Sequence, residues 1–168
     1  MLREARALNL PLTFRAAGTS LSGQAISDSI LVMLGSSWTR YAISGDASTI
    51  SLQPGIIGAH ANLFLSPYGK KIGPDPASIN SAMIGGIAAN NASGMCCGTA
   101  QNSYRTLISM KIIFADGATL DTGDQQSRKT FSQSHNELLI RIADISLRTK
   151  QSTLLAERIR NKYKMKNT

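Results

Sequence analysis

Phe14-Arg15-Ala16-Ala17-Gly18-Thr19-Ser20-Leu21-Ser22-Gly23-Gln24 sets two glycines and three hydroxyls directly after an alternating segment, Leu12 to Ala16. Glycine lets the backbone approach a ligand, and successive N–H groups in such a loop form an anion-binding concavity that needs no charged side chain. A second stretch of the same character runs from Gly73-Pro74-Asp75-Pro76 through Ser78 and Ile79 to Gly85-Gly86-Ile87-Ala88-Ala89-Asn90-Asn91-Ala92-Ser93-Gly94. The two stretches are about 50 residues apart and suggest opposite walls of one large cofactor site.

Gly18 to Gly23 has the four-residue gap of a nucleotide P-loop. However, Gln24-Ala25 stand where the lysine and the Ser/Thr for terminal phosphate and magnesium would be, which argues against ATP or GTP. No Gly-x-Gly-x-x-Gly is present, so the Rossmann fingerprint fails on spacing. Donors and hydroxyls without a lysine suit a pyrophosphate held by hydrogen bonds; the bland alternative is a plain glycine-rich turn. Gly85, Gly86 and Gly94 with Asn90, Asn91 and Ser93 could meet a ring with polar edges such as an isoalloxazine, or serve as a packing device. Asp75 between prolines is either a ligand contact or a turn former.

The remaining chain reads as mixed α and β without regular βαβ repetition. A helix end is expected over Arg3 to Asn9, and strands over Leu12 to Ala16 and Ile30 to Leu34, with the first loop between those strands. Ile43 to Gly45 and Thr49 to Gln53 suggest a hairpin pair, and Ile56 to Leu65 has helical spacing. Gly73 to Pro76 is a rigid extended turn, and Ser78 to Asn90 is either a short helix or an irregular segment. Leu107 to Ala115 predicts a strand turning at Asp116-Gly117 into Ala118 to Thr122. Asn136 to Leu147 and Ser152 to Tyr163 predict amphipathic helices with Leu138, Leu139, Ile142, Ile145, Leu154, Leu155 and Ile159 as core faces.

The 168 residues fit about one domain. The longest apolar run, Ile30 to Leu34, is far short of a membrane span, and the charged start is not a secretory signal, so the expected location is cytoplasmic. The net charge of +8 resides mostly in residues 141 to 168, which hold eight basic and two acidic groups. That segment has one aromatic, Tyr163, and no nucleic-acid motif, so a solvated helix face is favoured over nucleic-acid binding. Cys96-Cys97 are adjacent and rarely pair; with His60 and His135 they match no zinc spacing, and no metal site is expected. The cysteines read as small buried hydrophobes, with redox activity the sharper alternative. His60 reads as a packed histidine and His135 as a residue serving a helix entry. Tyr104-Arg105 could place a cation near an anionic ligand or form a surface ion pair.

Together the two stretches resemble the flavin-binding half of the vanillyl-alcohol oxidase / p-cresol methylhydroxylase (PCMH) superfamily. The likeness is to its D-2-hydroxyacid dehydrogenase branch, with glycolate oxidase and D-lactate dehydrogenase flavoproteins. Arg15 to Gln24 is similar to that family's first pyrophosphate loop, and Gly73 to Gly94 to its second flavin-facing segment. Ile112 to Gly117 is similar to the hairpin that follows. Gly94-Met95-Cys96-Cys97-Gly98 with Asn102 to Thr106 is similar to long members that also carry iron–sulfur modules.

The resemblance implies an α+β fold, a partial two-subdomain PCMH-type domain with mixed sheets flanked by helices. Residues 1 to about 35 would end the first subdomain, and about 36 to 168 would form most of the second. The substrate-cap domain would be absent, and the catalytic residues with it. It implies FAD held noncovalently, since no histidine stands in the first loop for a covalent link. Arg15, Ala17, Gly18, Thr19, Ser20, Leu21, Ser22, Gly23 and Gln24 would serve the pyrophosphate. Gly73, Pro74, Asp75, Ser78, Ile79, Gly85, Gly86, Asn90, Asn91, Ser93 and Gly94 would line the flavin. The parent would oxidise a D-2-hydroxyacid of the D-lactate, glycolate or D-2-hydroxyglutarate type by hydride transfer to flavin N5. An iron–sulfur module or electron-transfer partner and peripheral attachment at an inner membrane are compatible with it. The alternatives are an inactive isolated fragment and a module whose basic tail, Arg158 to Lys166, holds nucleic acid or an acidic partner.

Overall fold

The computed structural model describes residues 1–162 and divides them into two compact units, Met1–Leu107 and the residues from Ile108 onward. The expected end of the second basic helix at Tyr163, and the tail residues Lys164 and Lys166, lie outside the described residues.

In the first unit, α1 (Leu2–Ala7) leads to β1 (Leu12–Arg15), which pairs in parallel with β2 (Ile30–Met33) in the register Leu12 to Ile30 and Arg15 to Met33. A parallel pair needs a crossover, and here residues 16 to 29 supply it without a helix. The first glycine-rich loop therefore sits between two strands, as expected. Next, β3 (Tyr41–Ile43) and β4 (Ile50–Leu52) form an antiparallel pair. Its turn is closed by Asp46, whose Oδ1 accepts hydrogen bonds from Ser44 Oγ, Ser48 N and Ser48 Oγ at 2.6, 3.0 and 2.9 Å. These donors, the Ser44 hydroxyl foremost, hold the Asp46 carboxyl well below the usual carboxylate range.

The helix expected from Ile56 begins at Gly58: α2 spans Gly58–Leu65 and continues as a 3-10 turn, Ser66–Tyr68. Of Ser78 to Asn90 only the second half is helical, as α3 (Ile84–Ala89), and α4 (Ser103–Thr106) closes the unit with Asn102 Oδ1 capping Arg105 N. The core here is made of small residues around Ile56, Leu65 and Ile87, with Ala5, Ala47, Ala61, Ala82 and Cys97 buried. His60 is exposed on α2, not packed as the sequence suggests, because Gly58, Ala61 and Leu65 form that helix's buried face.

The second unit opens with the hairpin β5 (Lys111–Ile113) and β6 (Thr119–Asp121), turning at Gly117 with φ 82°. The strand expected from Leu107 is shorter, since Thr122 Oγ1 takes the Met110 amide at 2.8 Å in place of a ladder partner. Unforeseen from the sequence is α5 (Gln125–Ser134), capped by Asp124, whose two oxygens each accept an amide at 3.1 Å. Phe131 of α5 is buried and stacks on Phe114 and on His135 at centroid distances of 4.6 and 4.1 Å. His135 does more than serve a helix entry: Nε2 meets Asp116 Oδ2 and Nδ1 meets Ser134 Oγ, both at 2.8 Å.

α6 (Asn136–Gln151) and α7 (Thr153–Lys162) follow. Their apolar spacing is helical as expected, but Leu138, Leu139, Ile142, Ile145, Leu154, Leu155 and Ile159 are exposed and do not form a core. Amphipathic spacing reports only that a helix has one apolar side; burying that side requires a partner surface.

Candidate functional site

The first loop leaves β1 at Arg15 and makes two left-handed turns, at Gly18 (φ 70°) and Gly23 (φ 78°). An ordinary side chain is strained in that region, which explains glycine at both positions. Among the described residues, the amides of Ala17 to Gln24 donate to no backbone or side-chain acceptor. The loop's one internal side-chain bond joins Ser20 Oγ to Gln24 Oε1. Thr19, Ser20, Leu21, Ser22, Gly23 and Gln24 are exposed, while Arg15, Ala17 and Gly18 are half-buried. Uncommitted N–H groups on a loop with two left-handed glycines are the kind of donors from which anion-binding nests are built.

The second stretch divides into two parts. Gly85 and Gly86 lie in α3. A Cβ at Gly85 would meet Pro54 Cβ at 2.7 Å, whereas one at Gly86 would meet only Ala16 Cβ, at 3.8 Å. Gly86 is exposed and faces the start of the first loop, so the two stretches come together within the first unit at Ala16 and Gly86. Neither Ala16 nor Pro54 stands out in the sequence; their role follows from what the glycines face.

Elsewhere in the stretch, the close approaches are made by the protein itself. A Cβ at Gly73 would meet the Gln101 carbonyl and the Thr106 methyl, each at 2.5 Å, and one at Gly94 would fall on the Asp75 carbonyl and carboxylate. Asp75 Oδ1 accepts the Cys97 amide at 3.1 Å, and Pro74 is buried beside it. The Cys97 thiol, then its amide and the Cys96 thiol, hold the Asp75 carboxyl below its ordinary value against the effect of burial, with Lys71 adding to the shift. Ile79 packs on Gly58 and its carbonyl accepts the Ala59 amide at 2.9 Å; the Ser78 carbonyl takes the amides of Ser81 and Ala82. Asn91 is left-handed (φ 45°) and its Oδ1 takes the Tyr104 amide at 2.9 Å, while Asn90 is exposed and Ser93 half-buried. Cys97 is buried and Cys96 exposed, and both are free thiols. Arg105 is exposed and forms no ion pair among the described residues.

Residues 1–123 match the model of a family described as FAD binding domain. The chain belongs to this FAD-binding family. D-2-hydroxyglutarate dehydrogenase of Haemophilus influenzae is 26% identical over 129 residues, covering 73% of this chain and 13% of that protein. Glycolate oxidase subunit GlcD of Escherichia coli K12 is 28% identical over 118 residues, covering 69% and 24%. The chain thus spans less than a quarter of the length of these two relatives. Among solved structures, an alkyldihydroxyacetonephosphate synthase superposes with a TM-score of 0.60 at 19% identity, covering 76% of this chain and 25% of that one. A 6-hydroxy-D-nicotine oxidase from Arthrobacter nicotinovorans gives 0.62 at 17%, covering 71% and 26%. The FAD-binding α+β fold expected from the sequence is therefore the fold of this chain, and FAD is its cofactor.

Three features of the FAD-binding chain fit that cofactor: the uncommitted loop amides, the open face of Gly86 beside Ala16, and Arg15. Arg15 Nε is the one buried side-chain N or O among the described residues without a hydrogen-bond partner. Among the described residues no helix is long and apolar enough to cross a membrane.

Proposed function

We propose that this chain is the FAD-holding part of a flavin-dependent oxidoreductase that oxidises a D-2-hydroxyacid of the D-lactate, glycolate or D-2-hydroxyglutarate type. The observation that carries it is the loop of free amides, Ala17 to Gln24, set beside the open Gly86 face. When bound, FAD supplies a two-electron acceptor for the hydride of the substrate α-carbon. The chain's residues bind and orient: the amides from Ala17 to Gln24 hold the diphosphate, with the Thr19, Ser20 and Ser22 hydroxyls as further partners. Ala16 and Gly86 give the flavin a surface without protruding side chains. Of the second stretch, Asn90 and Ser93 present polar groups to that wall. Gly73, Pro74, Asp75, Ser78, Ile79, Gly85, Asn91 and Gly94 act one layer back by fixing the wall's shape. On this reading a subdomain boundary falls near residue 35, and the groups that bind the substrate carboxylate and take its hydroxyl proton belong to a cap outside these residues. FAD is held without a covalent link, because the first loop has no histidine.

The test is a titration of the chain with FAD and, separately, riboflavin, followed by flavin fluorescence. FAD binding at least about tenfold tighter than riboflavin is expected, since a set of diphosphate hydrogen bonds exceeds 1.4 kcal/mol. Equal affinities, or none, refute the reading. Bleaching of the bound flavin by D-2-hydroxyglutarate, D-lactate or glycolate, in a preparation carrying the cap, separates the substrates.

A further inference from the structure

The first loop's shape depends on a side chain below it. A Cβ at Gly18 would fall on Arg15 Nε and lie 2.7 Å from both Cζ and Nη2. The guanidinium therefore fills the space where an ordinary residue 18 would put its side chain. Arg15 leaves the end of β1 half-buried, and its Nε has neither solvent nor a protein acceptor. No carboxylate pairs with it among the described residues. A buried guanidinium nitrogen is normally matched by an acceptor, because an unmatched donor out of reach of solvent is destabilising. This one is instead held against a loop whose amides from Ala17 to Gln24 are also uncommitted.

We infer that Arg15 is the positioning residue of the pyrophosphate loop: its guanidinium packs against Gly18, fixes the left-handed turn there and keeps the loop amides directed at the diphosphate. The inference rests on the FAD reading above and adds the physical device that shapes the loop before the cofactor arrives. Glycine at position 18 then answers two demands, a positive φ and room for the guanidinium. Because Arg15 has a planar fork and lysine a compact ammonium on a flexible stem, Arg15→Lys keeps the charge and loses the packing.

Two measurements decide it. The first is a double-mutant cycle on thermal unfolding of the chain, with Gly18→Ala, Arg15→Ala and both together. Gly18→Ala should lower Tm more when Arg15 is present than when it is absent, because only then must the guanidinium, the far end of a flexible side chain, swing out of its packed place as well. Equal shifts in both backgrounds overturn the inference, whether or not flavin binds. The second is the ratio of FAD to riboflavin affinity in Arg15→Lys and Arg15→Met. A loss of about tenfold in FAD affinity with riboflavin unchanged is expected in both variants. Rescue by lysine would make Arg15 a simple charge, and equal losses for FAD and riboflavin would make it a fold residue only; either result overturns the positioning role. Failure of the unsubstituted chain to bind FAD counts against the proposed function, and the cycle still judges the packing.

Discussion

Replacing Gly86 with alanine should stabilise the protein and weaken its hold on FAD, two effects of opposite sign from one methyl group. Gly86 is an interior residue of α3 with negative φ, and glycine there is less stable than alanine by about 0.5–1 kcal/mol. The added Cβ meets only Ala16 Cβ at 3.8 Å, an ordinary van der Waals contact, so no overlap offsets the gain. For a chain of this length that gain corresponds to a rise in Tm of about 1–4 °C. On the proposed reading the same methyl stands where the flavin ring lies. Overfilling a close-packed contact costs about 1–3 kcal/mol, so FAD affinity should fall about fivefold or more. Circular-dichroism melting without flavin and fluorescence titration with FAD read the two effects separately. A lower Tm would refute the packing argument, and unchanged FAD affinity would remove Gly86 from the flavin wall.

Gly94→Ala should behave oppositely, losing about 1–3 kcal/mol in thermal unfolding, because its Cβ would fall on the Asp75 backbone and carboxylate, which cannot both move aside. Asp124→Ala removes the cap of α5 and should lower stability by about 1 kcal/mol, read from denaturant unfolding; no loss would show that the two amides find other acceptors. Asp75→Asn should be destabilising at neutral pH. The folded-state carboxyl lies below its unfolded value of 3.8, so its stabilisation is present above that value and fades as pH falls through the folded pKa. The Tm gap between the native chain and Asp75→Asn should therefore close in acid, and a gap independent of pH would contradict the assigned ionisation.

The glycine-rich stretches were legible because glycine and hydroxyls report where backbone comes close to something. What comes close was not legible. At Gly73 and Gly94 it is the Gln101 carbonyl and Asp75, at Gly85 it is Pro54, and only Gly86 is left facing the first loop. Composition gives the same signal for a ligand and for a neighbouring strand of protein. Helix α5 escaped notice because Phe131 is its only large apolar residue, so periodicity had nothing to register; Asp124 ahead of it was the available cue. The strand predicted over Leu107 to Ala115 is longer than β5 because strand propensity does not say where the partner stops, and β6 is three residues long.

A cofactor site formed by main-chain donors has a consequence for where substitutions matter. The exposed side chains Thr19, Leu21 and Ser22 can change with modest effect, since a backbone amide persists in every variant except proline. Sensitivity should concentrate where the path of the chain is set: at Gly18 and Gly23 by their φ angles, at Gly86 by its open face, and at Arg15 by the space it fills. Two of these residues are glycines in a loop and one is a glycine in a helix, so the same Gly→Ala change should destabilise the protein at 18 and 23 and stabilise it at 86 while weakening FAD at all three. That pattern of signs separates a site shaped by backbone from one built of side-chain contacts, in which Thr19 and Ser22 would instead dominate.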